Sequence, residues 1–218
     1  MKNLRWTVLS KAIKIASMKK QPLRCPWPVF DDPLYLEYHD LEWGVPVHDD
    51  RKIYEFLVLE AFQAGLSWRT VLHKRENFRQ AFAGFDFRKV ARFTPRDVAR
   101  LVNNEGIIRN RAKIEATINN ANRFLEVREE FGTFAEYMWS WVGGKPIIHR
   151  MRTLKDYKPY TPEAIAWADD LKTRGFKFLG ATVIYAHMQA VGMVNDHTVD
   201  CFRHSQLTHP SIKKISKK

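Results

Sequence analysis

The sequence predicts an all-α protein, on three observations. Residues that cap helix N-termini recur along the chain, a long segment has apolar residues at helical spacing, and strict alternation of apolar and polar residues, the pattern of a strand, is scarce. The 218 residues are 45% apolar and 13% aromatic, which is enough for one domain with a large core. We therefore expect a basic arm over residues 1–22, one folded domain over residues 23–204 and a basic tail over residues 205–218.

Side chains suited to cap a helix N-terminus precede five predicted helices, at Asp49 or Asp50, Asp86, Thr94, Thr133 and Thr161. After Thr94 and Thr161 the next residue is proline, which has no N–H to leave unpaired at the first helical position. We expect the first of these helices to run to about Gly65, the second to about Phe93 and the fourth to Gly143-Gly144. A longer helix from Arg109 to about Val127 is predicted by its apolar face, which comprises Ile114, Ile118, Ala121 and Leu125.

The charge balance favours a polyanionic partner. Lys and Arg number 36 against 24 Asp and Glu, which gives a formal net charge of +12 and a pI of about 9.8. Such a field attracts nucleic acids and acidic membranes alike, and its plainer role is to keep a protein soluble. Nucleic acid is the partner that we favour.

Secretion and membrane insertion are not expected. No stretch approaches the ~20 apolar residues that cross a bilayer, and Lys11 and Lys14 interrupt the apolar part of the N-terminal segment. Two cysteines are too few for a secreted disulfide scaffold. We expect a cytoplasmic monomer, and for residues 1–22 the alternatives are a basic arm and an organellar targeting peptide.

Two cysteines and two histidines form a candidate metal site. His197 and Cys201 are four residues apart and would share one face of a helix begun by Asn195. Cys25 and His39 flank a proline-rich segment, so we expect them on loop or early-helix positions. Two thiolates and two imidazoles complete a tetrahedral zinc site with no position left for water, which predicts a structural ion. The alternatives are a long-range disulfide and buried free cysteines with incidental histidines.

Glu60 is a carboxylate on an otherwise apolar helix. It shares one helical stripe with Ile53, Leu57 and Ala64, and apolar residues cover the remaining faces, so the helix is predicted to be buried nearly all round. A buried carboxylate is costly unless a cation or several donors pair with it. One interpretation is therefore a core ion pair with an arginine, and the other is an acid that faces a ligand.

Aromatic residues cluster around this helix in the sequence. Tyr35, Tyr38 and Trp43 precede it, and Trp68 follows it. Taken singly, each is more often a core residue than part of a binding site. Together with a lone acid they suit a flat, electron-poor heterocycle. The aromatic rings would stack on its faces, and the acid would form hydrogen bonds with its edge.

A helix, a tight turn around Gly106 and a second helix near Arg109 are predicted between Arg96 and Leu125. Amide groups at a helix start favour anions, and Arg109, Arg111 and Lys113 would add positive charge there. One interpretation is a solvated helix surface, and the other is a helix-hairpin-helix that grips the DNA backbone without reading sequence.

Long, ordered segments along the chain resemble the 3-methyladenine DNA glycosylase I family. The resemblance runs from about Arg24 to Phe202 and rests on RCPW, DPLYLEYHDLEWGVPVHD, LEAFQAGLSWRTVLHKRENFRQAF, GIIRNRAKI, RGFKFLGATVIYAHMQAVGMVNDH and the H-x3-C that follows. It implies a DNA glycosylase of the helix-hairpin-helix superfamily over residues 23–204. It also implies that Cys25, His39, His197 and Cys201 hold a structural Zn²⁺ that joins the two ends of the domain.

The resemblance further implies a base pocket. The family glutamate that contacts the excised base falls on Glu60, its catalytic residue, and the pocket aromatics fall on Tyr35, Tyr38 and Trp68. Phe62 is a departure, because some members carry a polar residue there, beside the expected pocket. The implied DNA contacts are Gly106, Arg109, Arg111 and Lys113.

The implied reaction is removal of 3-methyladenine from double-stranded alkylated DNA. The enzyme would flip the nucleotide out and hydrolyse its N-glycosidic bond. Many helix-hairpin-helix glycosylases use an aspartate beyond the hairpin to steady the sugar cation, but no aspartate lies between Gly106 and Phe134, so no residue is assigned to activate water. Bifunctional members use a lysine at the start of the second helix, and its absence there predicts monofunctional hydrolysis. The rival interpretations are a zinc-stapled DNA-binding module without catalysis and a hydrolase with a catalytic zinc.

Overall fold

A computed structural model describes residues 22–28 and 30–209, and this part of the chain is mainly helical, as predicted. The α-helices are α1 (Pro33–Leu41), α2 (Asp50–Gln63), α3 (Trp68–Ala81), α4 (Phe87–Val90), α5 (Pro95–Val102), α6 (Arg111–Phe131), α7 (Phe134–Ser140), α8 (Pro162–Thr173), α9 (Ala181–Ala190) and α10 (Phe202–Thr208). Two 3-10 turns and two short strands complete the described elements: Ala83–Phe85, Leu154–Asp156, β1 (Ile147–Ile148) and β2 (Val194–Asn195).

The five helices with a predicted N-cap begin where the sequence predicts, since a cap depends on contacts within three residues. Asp49 caps α2 by accepting a hydrogen bond from the Lys52 amide at 2.8 Å. Asp50, the other candidate, instead accepts from the amides of Phe134 and Ala135 at 3.2 and 2.9 Å, and so binds the first turn of α7. The acid that cannot cap its own helix thus ties α2 to a helix far along the chain.

The long helix begins two residues later than predicted. Asn110 accepts a hydrogen bond from the Lys113 amide at 3.1 Å, so Asn110 is the N-cap and Arg111 the first helical residue of α6. Arg109 therefore lies in the connection between α5 and α6.

The strands β1 and β2 are a departure from an all-α fold. They pair in parallel, with Ile147 opposite Val194 and Ile148 opposite Asn195, and an isolated bridge joins Met151 to Thr198. This pairing holds the segment after α7 beside the segment that leads to the predicted metal ligands.

The helix α2 lies at the centre of the domain, and its residues from Ile53 to Phe62 are buried, as the sequence predicts. It packs against α3, α6, α7 and α9. Within the described ranges, no helix combines the length and the apolar character that crossing a membrane requires. The helix α10 continues to Thr208, four residues into the predicted tail, whereas residues 1–21 of the predicted arm and 210–218 of the tail lie outside the described residues.

Candidate active site and metal centre

Glu60 faces a cavity of about 330 Å³ beside α2. Its side chain is only 4% exposed, and no described residue forms a hydrogen bond or an ion pair with its carboxylate. Burial alone raises the pKa of Glu60 to about 8. The acid is therefore a buried polar group with an unmet demand for a donor or a cation, placed where a ligand can enter.

The core ion pair considered for Glu60 belongs to its neighbour Glu55. The Glu55 carboxylate, 2% exposed, accepts from Arg75 Nε at 2.8 Å and from Arg79 Nη2 at 2.7 Å. Two buried acids on one helix thus have opposite surroundings: Glu55 is neutralised by arginines of α3, and Glu60 is not.

The three predicted base-binding aromatics all line the cavity with Glu60. Tyr38 and Trp68 pack against each other with ring centroids 5.1 Å apart, so they form one wall of the cavity and not two sides of a slot. Burial, and then the charge of Glu60, raise the pKa of Tyr38 well above its usual value and also raise that of the half-buried Tyr35. Both phenols are consequently neutral donors at physiological pH.

Trp43, which the sequence placed in the same aromatic cluster, also lines the cavity. The remaining walls come from residues to which the sequence assigned no role: Trp27, Gln63, Leu154, Tyr157, Ala186 and Gln189. Trp27 packs edge-on against Trp43 at 4.7 Å and contacts Tyr35 at 5.7 Å. The signal for several of them is present in the matching segments RCPW and YAHMQA, but neither segment shows which side chains face a ligand.

Phe62, which the sequence placed beside the expected pocket, does not lie in its wall. Phe62 is fully buried and packs against Phe78 and Phe82, at centroid distances of 4.7 and 6.1 Å. Two residues along a helix from Glu60, it points to a different face of α2 and does not line the cavity.

The four predicted metal ligands converge at one buried place. Their ligand atoms all lie within 4.8 Å of one another, and the four residues are at most 2% exposed. The Cys25 and Cys201 sulfurs lie 3.4 and 3.5 Å from His197 Nδ1, and Cys201 Sγ lies 3.6 Å from His39 Nε2. Both cysteines are free thiols, so the alternative of a disulfide does not hold.

This spacing fits a tetrahedral ion. Ligands at about 2.0–2.3 Å from a zinc ion lie about 3.5 Å from one another. The outer nitrogen of each imidazole is also occupied: His39 Nδ1 pairs with Asp40 at 2.8 Å, and His197 Nε2 donates to the Trp43 carbonyl at 3.0 Å. Such outer partners orient histidine ligands and select the coordinating nitrogen.

The local structure around the ligands differs from the prediction. His197 and Cys201 do not share a helix face, because residues 197–201 form a turn in which the Cys201 amide donates to the Thr198 carbonyl at 2.8 Å. His39 lies near the end of α1 and not at a helix start. Two side chains that are four residues apart can meet in a turn as well as on a helix. The spacing therefore correctly predicted that the two side chains meet, although the predicted helix was wrong.

Two of the predicted DNA contacts lie on the surface of the hairpin formed by α5, residues 103–110 and α6. Arg109 and Arg111 are exposed and have only weak pairings with Glu105 at 3.7 Å and Glu115 at 3.5 Å. Gly106 packs closely against its neighbours, since a Cβ there would lie 3.0 Å from Asn104 Oδ1 and 3.1 Å from the side chain of Asn77 on α3.

Lys113 does not share this surface, contrary to the prediction. It is 8% exposed, and its ammonium group donates to the carbonyls of Ala64 at 2.7 Å and Phe62 at 3.2 Å. Arg111 and Lys113 are two residues apart on α6, so they point to opposite sides of the helix, and Lys113 falls on the buried side. Its positive charge interacts favourably with the dipole at the C-terminal end of α2.

Comparison with known proteins finds a family model and relatives that match most of the chain. The family model described as methyladenine glycosylase matches residues 27–204. The chain is similar to DNA-3-methyladenine glycosylase 1 of Escherichia coli (strain K12), with 49% identity over 82% of this chain and 95% of the relative.

Solved structures give the same result. The chain is similar to a crystal structure of 3-methyladenine DNA glycosylase I, with a TM-score of 0.79, 50% identity and coverage of 83% of this chain and 98% of the other. It is also similar to a variant of 3-methyladenine DNA glycosylase I in complex with 3-methyladenine, with a TM-score of 0.76, 38% identity and coverage of 78% and 91%.

Proposed function

The chain belongs to the methyladenine glycosylase family, and from this premise we propose that it excises 3-methyladenine from alkylated DNA by hydrolysing the N-glycosidic bond. The observation that carries the proposal is the unpaired carboxyl group of Glu60 inside an aromatic cavity. A base that carries positive charge supplies the cation that Glu60 lacks.

The cavity accounts for selectivity through charge. Methylation at N3 makes the base cationic while it is attached to the sugar. A cation beside Glu60 lowers the pKa of this acid and favours its carboxylate form, and the same cation is attracted by the faces of aromatic rings. The Tyr38–Trp68 wall offers such a face, and Glu60 lies in the same cavity. Unmodified adenine is neutral and stacked in a stable pair, so it gains less from the site and costs more to flip out.

The chemistry needs little acid catalysis. The electrons of the bond between C1′ and the base return to a base that is already cationic, which leaves as neutral 3-methyladenine. Water then supplies the oxygen at C1′ and loses one proton, leaving an abasic site. Lys113 is held by two carbonyls, which agrees with hydrolysis by water and not by a lysine nucleophile.

The test is chromatography of the bases released from methylated DNA by the wild type and by Glu60→Gln. We expect release of 3-methyladenine by the wild type and a loss of at least about tenfold in the variant, because an amide has no charge to offer the cationic base. Undiminished release by the variant would remove Glu60 from the mechanism. DNA binding without release of any base would identify a binding module instead of an enzyme.

We propose that the hairpin of α5 and α6 grips the backbone of double-stranded DNA through Arg109 and Arg111. Their exposed guanidinium groups and the N-terminus of α6 suit phosphate oxygens. Gly106 would act by keeping the connection close to α3, and Lys113 has no part in this contact.

We further propose that the protein acts as a cytoplasmic monomer. Analytical ultracentrifugation tests the oligomeric state, and cell fractionation tests the localisation.

We also propose that the four buried ligands hold a structural Zn²⁺. Three observations support this assignment: the donor set, the ligand atoms that all lie within 4.8 Å of one another with three pairs at 3.4 to 3.6 Å, and the occupied outer nitrogens. Cys25 and His39 would bind near one end of the domain, and His197 and Cys201 near the other, so the ion would close a loop of most of the chain. Four protein ligands leave no place for a reactive water.

A further inference from the structure

We infer that Gln189 reads the exocyclic amino group of the bound base with its amide oxygen, and that Asp196 fixes the orientation of that amide. The inference rests on the proposed excision of an adenine lesion and adds a specificity-determining residue to the site. It follows from a buried hydrogen-bond network between the metal-ligand turn and the wall of the cavity.

Asp196 is the centre of this network. It is completely buried, and its carboxylate accepts from Tyr185 Oη at 2.6 Å, from Gln189 Nε2 at 2.7 Å and from His149 Nδ1 at 2.5 Å. Its backbone carbonyl accepts from Tyr157 Oη at 2.9 Å. Carboxylate oxygens accept hydrogen bonds, so Tyr185, Gln189 and His149 each present a donor to one of them.

That demand decides which way the Gln189 amide turns. Its nitrogen must face Asp196, so its oxygen lies on the opposite side of the amide group and accepts no hydrogen bond from any described residue. The backbone of Gln189 is held as well, since the Gly44 amide donates to its carbonyl at 3.0 Å. Gln189 lines the same cavity as Glu60.

The site therefore holds two acceptors: the carboxylate of Glu60 and an amide oxygen of set orientation. Adenine lesions carry an amino group with two hydrogens at C6, which suits a pair of acceptors. Guanine lesions carry a carbonyl at C6, which would place oxygen against oxygen and leave Gln189 unpaired. A site that is built to accept a hydrogen bond rejects the analogue that lacks the donor.

The experiment measures 3-methyladenine and 3-methylguanine released from the same methylated DNA, as a ratio of kcat/KM values. Because a partly unfolded variant loses both activities equally, the ratio reports on recognition and not on folding. We expect Gln189→Met to lower the ratio by about fivefold to tenfold, the value of one uncharged hydrogen bond. Gln80→Met is the matched control, as Gln80 is exposed and bonds only Glu76, and it should leave the ratio unchanged.

Asp196→Asn tests the orienting role. An asparagine can donate to the oxygen of Gln189, so the Gln189 amide is free to turn. The ratio should then fall towards that of Gln189→Met. The metal content measured on the purified protein should stay at the wild-type level. A wild-type ratio in Gln189→Met overturns the inference although the excision activity stands. A wild-type ratio in Asp196→Asn alone removes Asp196 from it. Failure of the wild type to release any base would instead refute the proposed function.

Discussion

The ammonium group of Lys113, on the second helix of the hairpin, lies 2.7 Å from the carbonyl oxygen of Ala64, at the end of the helix that carries Glu60. Helix C-termini leave carbonyls without partners, and a cation there both pairs them and suits the helix dipole. The contact joins the part of the molecule proposed to hold DNA to the part proposed to hold the base.

Replacing Lys113 by methionine should lower the free energy of unfolding by about 1–3 kcal/mol, because two buried carbonyls lose their donor. It should leave the dependence of DNA affinity on salt unchanged, since Lys113 contacts no phosphate in our proposal. Urea unfolding and DNA binding at several salt concentrations measure the two effects. Arg111→Met is the matched variant: it should reduce the salt slope by about one and change stability by less than about 0.5 kcal/mol.

The free energy of unfolding should depend on pH through Glu60. Without a bound base, the folded protein keeps this carboxyl protonated up to pH about 8, whereas the unfolded chain releases the proton near 4.5. Between these values the folded state binds more protons, so stability falls as pH rises, by at most about 1.4 kcal/mol per pH unit. Unfolding curves of the wild type and Glu60→Gln measure this, and the advantage of the variant should grow from about pH 5.5 to about pH 7.5. An advantage that is constant over this range would contradict the raised pKa.

Removal of the proposed zinc should destabilise the protein without directly disabling its chemistry. Joining chain ends across most of the sequence is worth at most about 5 kcal/mol in the loop-closure model, so a chelator should lower Tm and added zinc should restore it. Cys201→Ser should show the lower Tm without chelator. X-ray absorption should detect two sulfur and two nitrogen ligands. Loss of base release at an unchanged Tm would argue for a catalytic ion instead.

The buried His187 should lower the free energy of unfolding relative to an apolar residue at the same position. It is completely buried on α9, its ring lies 5.7 Å from that of Trp167, and neither ring nitrogen has a partner among the described residues. Burial lowers the pKa of His187 to about 3, so the folded state resists a proton that the unfolded chain takes up near 6.5. At pH values above 6.5, His187→Phe should raise the free energy of unfolding by about 1–2 kcal/mol. The gain should increase as pH falls from 6.5 towards 3. A gain that shrinks on acidification would contradict this assignment.

Helix starts were readable in the sequence because each depends on contacts within three residues. Thr94, Thr133 and Thr161 all cap the helices predicted for them. Glu60 was recognisable for a related reason, since helical spacing alone places it on a buried apolar helix. The same reasoning could not choose between a core ion pair and a ligand, because the arginines that settle the question for Glu55 belong to α3 and come together with it only on folding.

Residue types and local order were thus enough to predict a helical fold and the buried acid, whereas the choice of the four metal ligands also needed the family resemblance. Packing decided what local order does not encode: that Asp50 binds α7, that Lys113 turns inward to α2, and that Gln189 meets Asp196 at the cavity wall. The physical reason is the distance in sequence over which each kind of interaction acts. Caps and helical periodicity act over a few residues, whereas a cavity and the partners of a buried charge arise from segments far apart in sequence.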